Sequence, residues 1–533
     1  MSEISPQTQR LIQQYQTWWQ SLQHKKEVPT LHVDEVTSRV AAFYEKIRGV
    51  IEWQDEHLLR KAAIERILKR RLLLSQGGEE IAGPFILELI RGGYFPNDSI
   101  EESKTKDIQN LLDKYTFIIE NSPGDDQAQK VQLYNWLLGV AACEVEDTLS
   151  PFSKERALID YMSDLIKERV EIREGVLIDK RIKEEEKNNQ IYIACHRALF
   201  KLDSPTISYN LLKKKVPGWD SLPFAELQDI AKDIFYIWEG INKDLKHPLA
   251  EKFYQICEKY DTPYLILGDI LSENPTEASR TISQPDILEN SIRQAYQKRL
   301  GKTKERVRRA AIFSTISIFV TKIVLALLLE VPAEKWLTDK FNYSSLGFNI
   351  LIPPALMFLM VLTIRTPARK NLQIVIMEIM KIVFRTEKKD TYVIKLLPKK
   401  GFGISIFLTL FYIVEFMVSF GLIIWLLQKL GFWALSIAIF IVFLSLILFA
   451  ATRIRQRARE LQIGREKESF LTFLFDLLTL PIVRTGKWLS SQWERYNVMV
   501  VLFNAFIELP FQLFTEFLEQ WVYFIREKKE EIH

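Results

Sequence analysis

The chain of 533 residues carries 71 Lys and Arg against 67 Asp and Glu, and its net charge of +4 hides an uneven distribution. Residues 306–533 hold 29 basic and 18 acidic residues, whereas residues 1–305 hold 42 and 49. The acidic first part lacks the basic face expected of a nucleic-acid-binding domain, so no nucleic-acid partner is predicted. The basic second part can instead contact anionic lipid headgroups.

Residues 1–305 have helical rather than strand periodicity and are predicted to form an all-α head. Apolar residues from Val33 to Val50 recur at intervals of three and four, which is typical of a helix-packing or coiled-coil seam. The seam continues less strictly to Leu72, which predicts a helix of about forty residues that ends near Gly77. Helices separated by Pro and Gly turns are predicted further on, and no convincing strand is found.

The head contains no recognisable catalytic, metal or cofactor motif. Glycines at 78 and 83 precede Pro84 and Phe85, where a phosphate loop needs Lys and Ser or Thr. No two histidines have the i, i+4 spacing of a metal site, and the three cysteines lack CxxC spacing, as expected of reduced thiols in a cytosolic domain. Trp18, Trp19 and Trp219 are interpreted as packing or interface anchors. We therefore predict no catalytic residue, no metal and no cofactor.

Four apolar segments follow the head, and each is long enough to cross a hydrocarbon core of ~30 Å. Basic residues are concentrated in three flanking segments, which carry 22 Lys and Arg, whereas the two alternate connections carry three. This alternation predicts both termini in the cytoplasm. We expect a multi-pass protein of the plasma (inner) membrane, without a cleavable signal peptide, whose membrane domain covers 306–452. The predicted spans are 310–329, 346–364, 402–427 and 432–451.

Charged residues within the predicted spans form the candidate site. Lys322 and Glu415 are predicted at one depth, about 18 to 20 Å from the cytoplasmic edge, where an unpaired charge is costly. Pro353 and Pro354 are expected to kink the second span at the same depth. Three interpretations remain open: a structural ion pair, a polar site for an ion, proton or small solute, and a counter-charge from a partner subunit.

Two shorter apolar segments are predicted to lie on the membrane surface. Residues 372–384, in the loop 365–401, are too short to span and are preceded by Arg369 and Lys370, which favours an interfacial helix. Residues 470–483 are of similar length and end near Pro481.

The tail, 453–533, is predicted to be a basic linker followed by an amphipathic helix over 498–525. Its polar stripe is acidic, so we expect it to dock on the basic linker or on another subunit rather than on anionic lipid. The expected docking residues are Arg453, Arg455 and Arg457 in the linker and Glu508, Glu516 and Glu519 in the tail.

Three classes of function are compatible with these features. The leading hypothesis is a membrane-anchored scaffold whose head or C-terminal helix recruits a protein partner or a second copy. A channel or transporter component built around Lys322 and Glu415 is the first alternative, and its four spans would require an oligomer. A membrane-bound enzyme with scattered catalytic residues is the second, although the sequence favours no enzymatic activity.

Overall fold

A computed structural model describes residues 4–23, 28–33, 56–74, 80–123, 127–173, 183–338, 343–362, 369–384, 391–395, 402–463 and 470–496, together with Phe517 and Trp521. The described part is helical apart from two short strands, which confirms the all-α prediction. Most of the seam predicted between Val33 and Val50 lies outside the described residues. Within the range of the predicted helix of about forty residues, the structure describes a helix at Glu56–Leu74, and residues 34–55 lie outside the described residues.

The head contains twelve described helices, one short strand and the first part of a thirteenth helix. In chain order these elements are α1 Pro6–Gln23, α2 Glu56–Leu74, α3 Ala82–Arg91, α4 Lys104–Asn121, α5 Gln127–Leu149, α6 Ser153–Arg169, β1 Val170–Arg173, α7 Glu184–Phe200, α8 Ser204–Lys215, α9 Phe224–Leu245, α10 Ala250–Lys259, α11 Asp261–Glu273, α12 Ala278–Ser283 and α13 Pro285–Leu325.

The remaining described elements belong to the membrane domain and to the loops at one of its ends. These elements are a π-helix at Ala326–Glu330, α14 Val331–Thr338, α15 Tyr343–Leu362, α16 Arg369–Val383, β2 Tyr392–Lys395, α17 Phe402–Lys429, α18 Ala434–Ala458 and α19 Phe470–Tyr496.

The apolar faces of the head helices pack into one continuous core. Trp219 lies inside it, as the sequence predicts, and its indole N–H donates to Glu144 Oε2 at 2.7 Å. The Glu144 carboxylate also accepts hydrogen bonds from Lys114 at 2.5 Å and from Tyr115 at 2.7 Å. This buried carboxylate is therefore fully satisfied, as a structural role requires.

The helix predicted to lie on the membrane surface packs instead into the head. Val375, Ile379 and Val383 of α16 are buried in the head core, so the apolar face of α16 is covered by protein and not by lipid. The hydroxyl of Tyr161 donates to the Ile382 carbonyl at 3.2 Å. The prediction of an interfacial helix over 372–384 is wrong, because an apolar face of this length fits a protein core as well as a bilayer surface.

The same loop also supplies a strand to the head. β2 pairs in parallel with β1, with Val170 opposite Tyr392 and Arg173 opposite Lys395. Neither strand was predicted, because four residues are too few to show alternation. The chain between α15 and α17 is thus part of the head at two points.

Asn371 joins three chain segments at the end of the membrane domain that carries the head. Its side-chain amide donates to Tyr296 Oη at 2.9 Å and to the Leu461 carbonyl at 2.6 Å, and its Oδ1 accepts from the Ile463 N–H at 2.8 Å. Tyr296 precedes the first span, Asn371 lies in the loop after α15, and residues 461–463 follow α18. All three segments therefore meet at one end of the helical membrane domain.

Among the described residues, three helices are long and apolar enough to cross a membrane: Pro285–Trp336, Ile406–Lys429 and Ala434–Ala458. The second predicted span corresponds to a shorter apolar helix at Leu346–Leu362. Three of the four predicted spans are thus confirmed as helices of spanning length. The first does not end near 329, because the helix continues through the π-helix into α14.

α19 is longer than predicted and lies along α18. It continues through Pro481 to Tyr496, and Gly486 approaches so closely that a Cβ atom there would overlap the backbone carbonyl of Ser445. Near its start, Asp476 forms an ion pair with Arg455 at 3.5 Å. The ten residues forward from Ser445 to Arg455 on α18 correspond to the ten residues backward from Gly486 to Asp476 on α19. The two helices are therefore antiparallel over a long interface.

Candidate functional site

The ammonium of Lys322 is completely buried, and it pairs with Glu330. Lys322 Nζ lies 2.5 Å from Glu330 Oε1, and both side chains are almost fully inaccessible. The ammonium also lies over the ring of Phe443, 5.1 Å from its centroid. Glu330 is the last residue of the π-helix, a rare element that is frequent at functional sites.

The second helix completes this cluster through Asn349. Its side-chain amide donates to Glu330 Oε2, so both oxygens of the carboxylate are used. Pro353 lies four residues later in α15 and has no N–H to donate to the Asn349 carbonyl. Pro353 and Pro354 are both buried, and the helix continues on either side of them. The side-chain amide of Asn349 and its backbone carbonyl, which lacks the usual helical N–H partner, therefore both belong to the residue that contacts the ion pair.

The predicted pair of Lys322 with Glu415 is replaced by this arrangement. Among the described residues, Lys322 makes its ion pair with Glu330, and no ion pair joins it to Glu415. Depth along two helices does not specify which faces are turned toward each other, and this accounts for the error. The cluster links α13, the π-helix, α15 and α18, as a structural ion pair would.

Glu415 is buried at a different contact, between α17 and its neighbours. It is 8% exposed, and its Oε1 has no hydrogen-bond partner among the described residues. Tyr412, one turn earlier, lies beneath the guanidinium of Arg484 from α19, with 4.9 Å from the guanidinium carbon to the ring centroid. The buried stripe of α17 is thus directed at α19.

The predicted docking residues are only partly described. Lys370 and Arg453 are exposed, Arg455 binds Asp476 of α19, and Arg457 is exposed close to Glu460. The side chain of Arg369 and the acidic residues of the tail, Glu508, Glu516 and Glu519, lie outside the described residues. Docking of the tail on the linker therefore stays a prediction.

A buried carboxyl lies where the head meets the segment after α18. Burial raises the pKa of Asp261 to about 7, although the positive charge of Lys201 and a hydrogen bond from Thr262 partly oppose this shift. The Thr262 hydroxyl, which has a single proton to share between its acceptors, also lies 3.1 Å from the Glu460 carbonyl oxygen. Burial raises the pKa of the Glu460 carboxyl as well. We therefore expect the protonation of Asp261 to affect the stability of this junction near neutral pH.

Two residues of the Lys322 cluster were missed by sequence reasoning. Glu330 directly follows the predicted end of the first span at residue 329, and Asn349 is the one amide inside the apolar run 346–362. A polar residue at such a depth is expensive in lipid, so Asn349 could have been found on that ground. In the described part of the chain, no group of three or more His, Cys, Asp or Glu side chains is placed to hold a metal ion.

Comparisons with known proteins return no match for this chain: no family model, no curated protein and no solved structure is similar to it.

Proposed function

We propose that the chain is a membrane-anchored helical scaffold, whose head is held in a fixed orientation on its own membrane domain to present a surface to a protein partner. The observation that supports this proposal is the docking of the α15–α17 loop in the head core. A head attached by a flexible linker would sample many orientations, whereas this head is attached at three chain segments through Asn371. A fixed orientation is useful where the partner must also lie at the membrane.

The helix α9 offers an exposed surface for such a partner. Tyr236 is 74% exposed, and Glu239, Gly240 and Lys243 follow on the same face of the helix. Exposed tyrosines are frequent anchors of protein interfaces, and charged residues such as Glu239 and Lys243 suit the polar rim around such an anchor.

This proposal can be tested with a photoreactive amino acid in place of Tyr236, in the full chain in its native cells. We expect a discrete crosslinked protein whose yield falls when Asn371→Ala releases the head from its docked orientation. The matched control is Gln373→Ala, an exposed amide on the same helix. Absence of any crosslinked protein, or a yield that is unchanged by Asn371→Ala, would contradict a scaffold with a fixed head.

We further propose that the end of the membrane domain that carries the head is cytoplasmic. The 22 to 3 distribution of Lys and Arg supports this orientation. Because α19 runs antiparallel to α18, its Tyr496 end lies at the level of Ala434, the opposite end from the head. This proposal therefore replaces the sequence predictions that residues 470–483 lie on the membrane surface and that the whole of 453–533 is cytoplasmic. We therefore expect a cysteine at Ser490 to react with an impermeant thiol reagent from outside the cells, and a cysteine at Lys370 not to react. The reverse pattern would overturn this topology.

A transport role is the second candidate, and the buried Glu415 is the observation that favours it. Its carboxyl lies in the middle of α17, a helix of spanning length, and Oε1 has no partner among the described residues. Ionisable residues at such positions commonly line ion or proton pathways. Flux of radiolabelled cations into vesicles that contain the purified protein would test this role, with vesicles containing Glu415→Gln as the control.

A further inference from the structure

The exposed face of α19 carries two cations at the depth of the middle of α18. Gly486 packs on the backbone of Ser445, which lies eleven residues after Ala434 in a helix of spanning length. Arg484 and Lys487 flank Gly486 in the sequence, and both side chains are exposed. A cation at this depth is costly in hydrocarbon, so both side chains need a counter-charge.

Arg484 and Lys487 belong to a face of α19 that is turned away from α18, because Gly486 lies on the opposite side of the helix. The guanidinium carbon of Arg484 lies 4.9 Å from the ring centroid of Tyr412 in α17. Within the described part of the chain, no carboxylate forms an ion pair with either cation. The residues of this open face of α19 are all exposed, namely Leu480, Arg484, Lys487, Trp488 and Ser491.

The chain that continues from the far end of α19 is long enough to cover the open face. Residues 497–533 follow Tyr496 and, apart from Phe517 and Trp521, lie outside the described residues. The mostly apolar segment 498–525 measures about 42 Å as a helix, which exceeds a hydrocarbon core of ~30 Å. A return crossing beside α19 is therefore within its reach.

From the length, position and charge of this segment we infer that residues 498–525 cross the membrane as a helix antiparallel to α19 and dock their acidic stripe on its open face. With the turn at Asn497, Glu508 lies level with residue 486, between Arg484 and Lys487. Its carboxylate then neutralises the two cations, which removes the cost of their exposure to hydrocarbon.

The same register brings the end of the segment to the basic linker. Asp476 of α19 pairs with Arg455, so this level of α19 is also the level of the linker. Glu516 and Glu519 lie at this level, which retains the docking on the linker that the sequence predicts. The basic residues within 526–529 then follow on the side of the head, where Lys and Arg are concentrated.

The two described side chains of the tail agree with this arrangement. Phe517 and Trp521 are helical and exposed, and their rings stack with centroids 6.0 Å apart. Both lie about 140° or more around a helix from Glu508 and Glu519. The exposed aromatic face is thus opposite to the acidic stripe, as expected where one side meets lipid and the other meets protein.

The inference concerns packing within one chain, so it depends neither on the scaffold role nor on which side of the membrane is cytoplasmic. It replaces the sequence prediction that 498–525 is a cytoplasmic helix. The acidic stripe that docks consists of Asn504, Glu508, Gln512, Thr515, Glu516 and Glu519.

The test is disulfide formation between Leu480→Cys and Thr515→Cys in the full chain in its native membranes, with copper phenanthroline as the oxidant. These positions lie nearly level, on the open face and on the stripe, and their replacement keeps every charge in place. Mass spectrometry of the digested protein should show a linked peptide pair from one chain. Adding Glu508→Gln should lower the yield severalfold, because Arg484 and Lys487 lose their counter-charge.

Two controls isolate this contact. Thr479→Cys with Thr515→Cys moves one cysteine by about 100° around α19 and should give little disulfide. Glu530→Gln removes a carboxylate from the same tail, beyond the docked segment, and should leave the yield of the Leu480→Cys pair unchanged.

Three results of this experiment would overturn the inference. The first is an equal yield from the Thr479→Cys pair. The second is a yield that Glu508→Gln does not change, as expected if Glu415 of α17 supplies the counter-charge. The third is a disulfide between two chains in place of the internal one, which would assign the open face to a second copy.

A second measurement requires none of these charge substitutions. Lys370→Cys, Ser490→Cys and His533→Cys are labelled separately with an impermeant thiol reagent, from each side of the membrane in turn. We expect the cysteine at 533 to react from the same side as the cysteine at 370 and from the side opposite to the cysteine at 490. Reaction at 533 from the side of 490 would show that the tail does not return, and would overturn the inference.

Discussion

Replacement of Asn371 by Ala tests whether the head is fixed to the membrane domain. The substitution removes three hydrogen bonds and leaves the Leu461 carbonyl and the Ile463 N–H without partners in a buried environment. An unsatisfied buried backbone group costs about 1 to 3 kcal/mol, so we expect the docked arrangement to lose about 2 to 5 kcal/mol. The Tyr296 hydroxyl loses one further partner.

Hydrogen exchange read by mass spectrometry, on protein in lipid nanodiscs, measures this loss. If the segment opens locally, a loss of about 3 kcal/mol accelerates exchange of the amides around 461–463 and in α16 about 100-fold. The spans should keep their protection, because the substitution lies outside them. Gln373→Ala removes an exposed amide from the same helix and should leave exchange unchanged. Equal exchange rates in the two variants would refute the role of Asn371.

Three further predictions concern other contacts. Lys322→Met and Glu330→Gln should each lower thermal stability by about 1 to 3 kcal/mol, and the double variant should be more stable than the two losses added together predict; strict additivity would argue against the pair. The pKa of Asp261 in the folded state, about 7, exceeds its unfolded value, so the folded state binds more protons and its stability falls as pH rises from about 4 to 7. The melting temperature of Asp261→Asn should therefore change less over this pH range than that of the unmodified chain. Gly486→Ala should lower the melting temperature by separating α18 from α19, whereas Gly421→Ala, where a Cβ meets open space, should not.

Composition and periodicity predicted the helical character of the chain and three apolar helices of spanning length. These properties depend on each segment alone, since hydropathy and helix spacing are local. Trp219 was also placed correctly inside the head, because a large aromatic side chain is rarely left unpacked.

Contacts between distant segments could not be predicted in the same way. An apolar face over 372–384 indicates that something covers it, but not whether lipid or the head does so. The partner of Lys322 depends on how each helix is rotated about its own axis. Glu330, eight residues further along the same helix, pairs with Lys322, whereas Glu415, predicted at the same depth on another helix, does not. Close approach at Gly486 likewise depends on the tertiary fold, since a single glycine in an apolar helix is compatible with many environments.

The uninterrupted course of α13 has a mechanical consequence. Leu288, Ile292 and Tyr296 anchor its first turns in the head core, and Lys322 lies near its other end, within one helix of 41 residues, or about 60 Å. A rigid rod of this kind transmits rotation: one inserted residue between the two regions would turn everything beyond it by about 100°. Lys322 and Glu330 both lie on this continuous helix and turn together, so rotation of the head about this axis would instead break the contacts that join the pair to other helices: the hydrogen bond from Asn349 of α15 and the ring of Phe443 in α18. These two contacts therefore resist twisting of the head against the membrane domain.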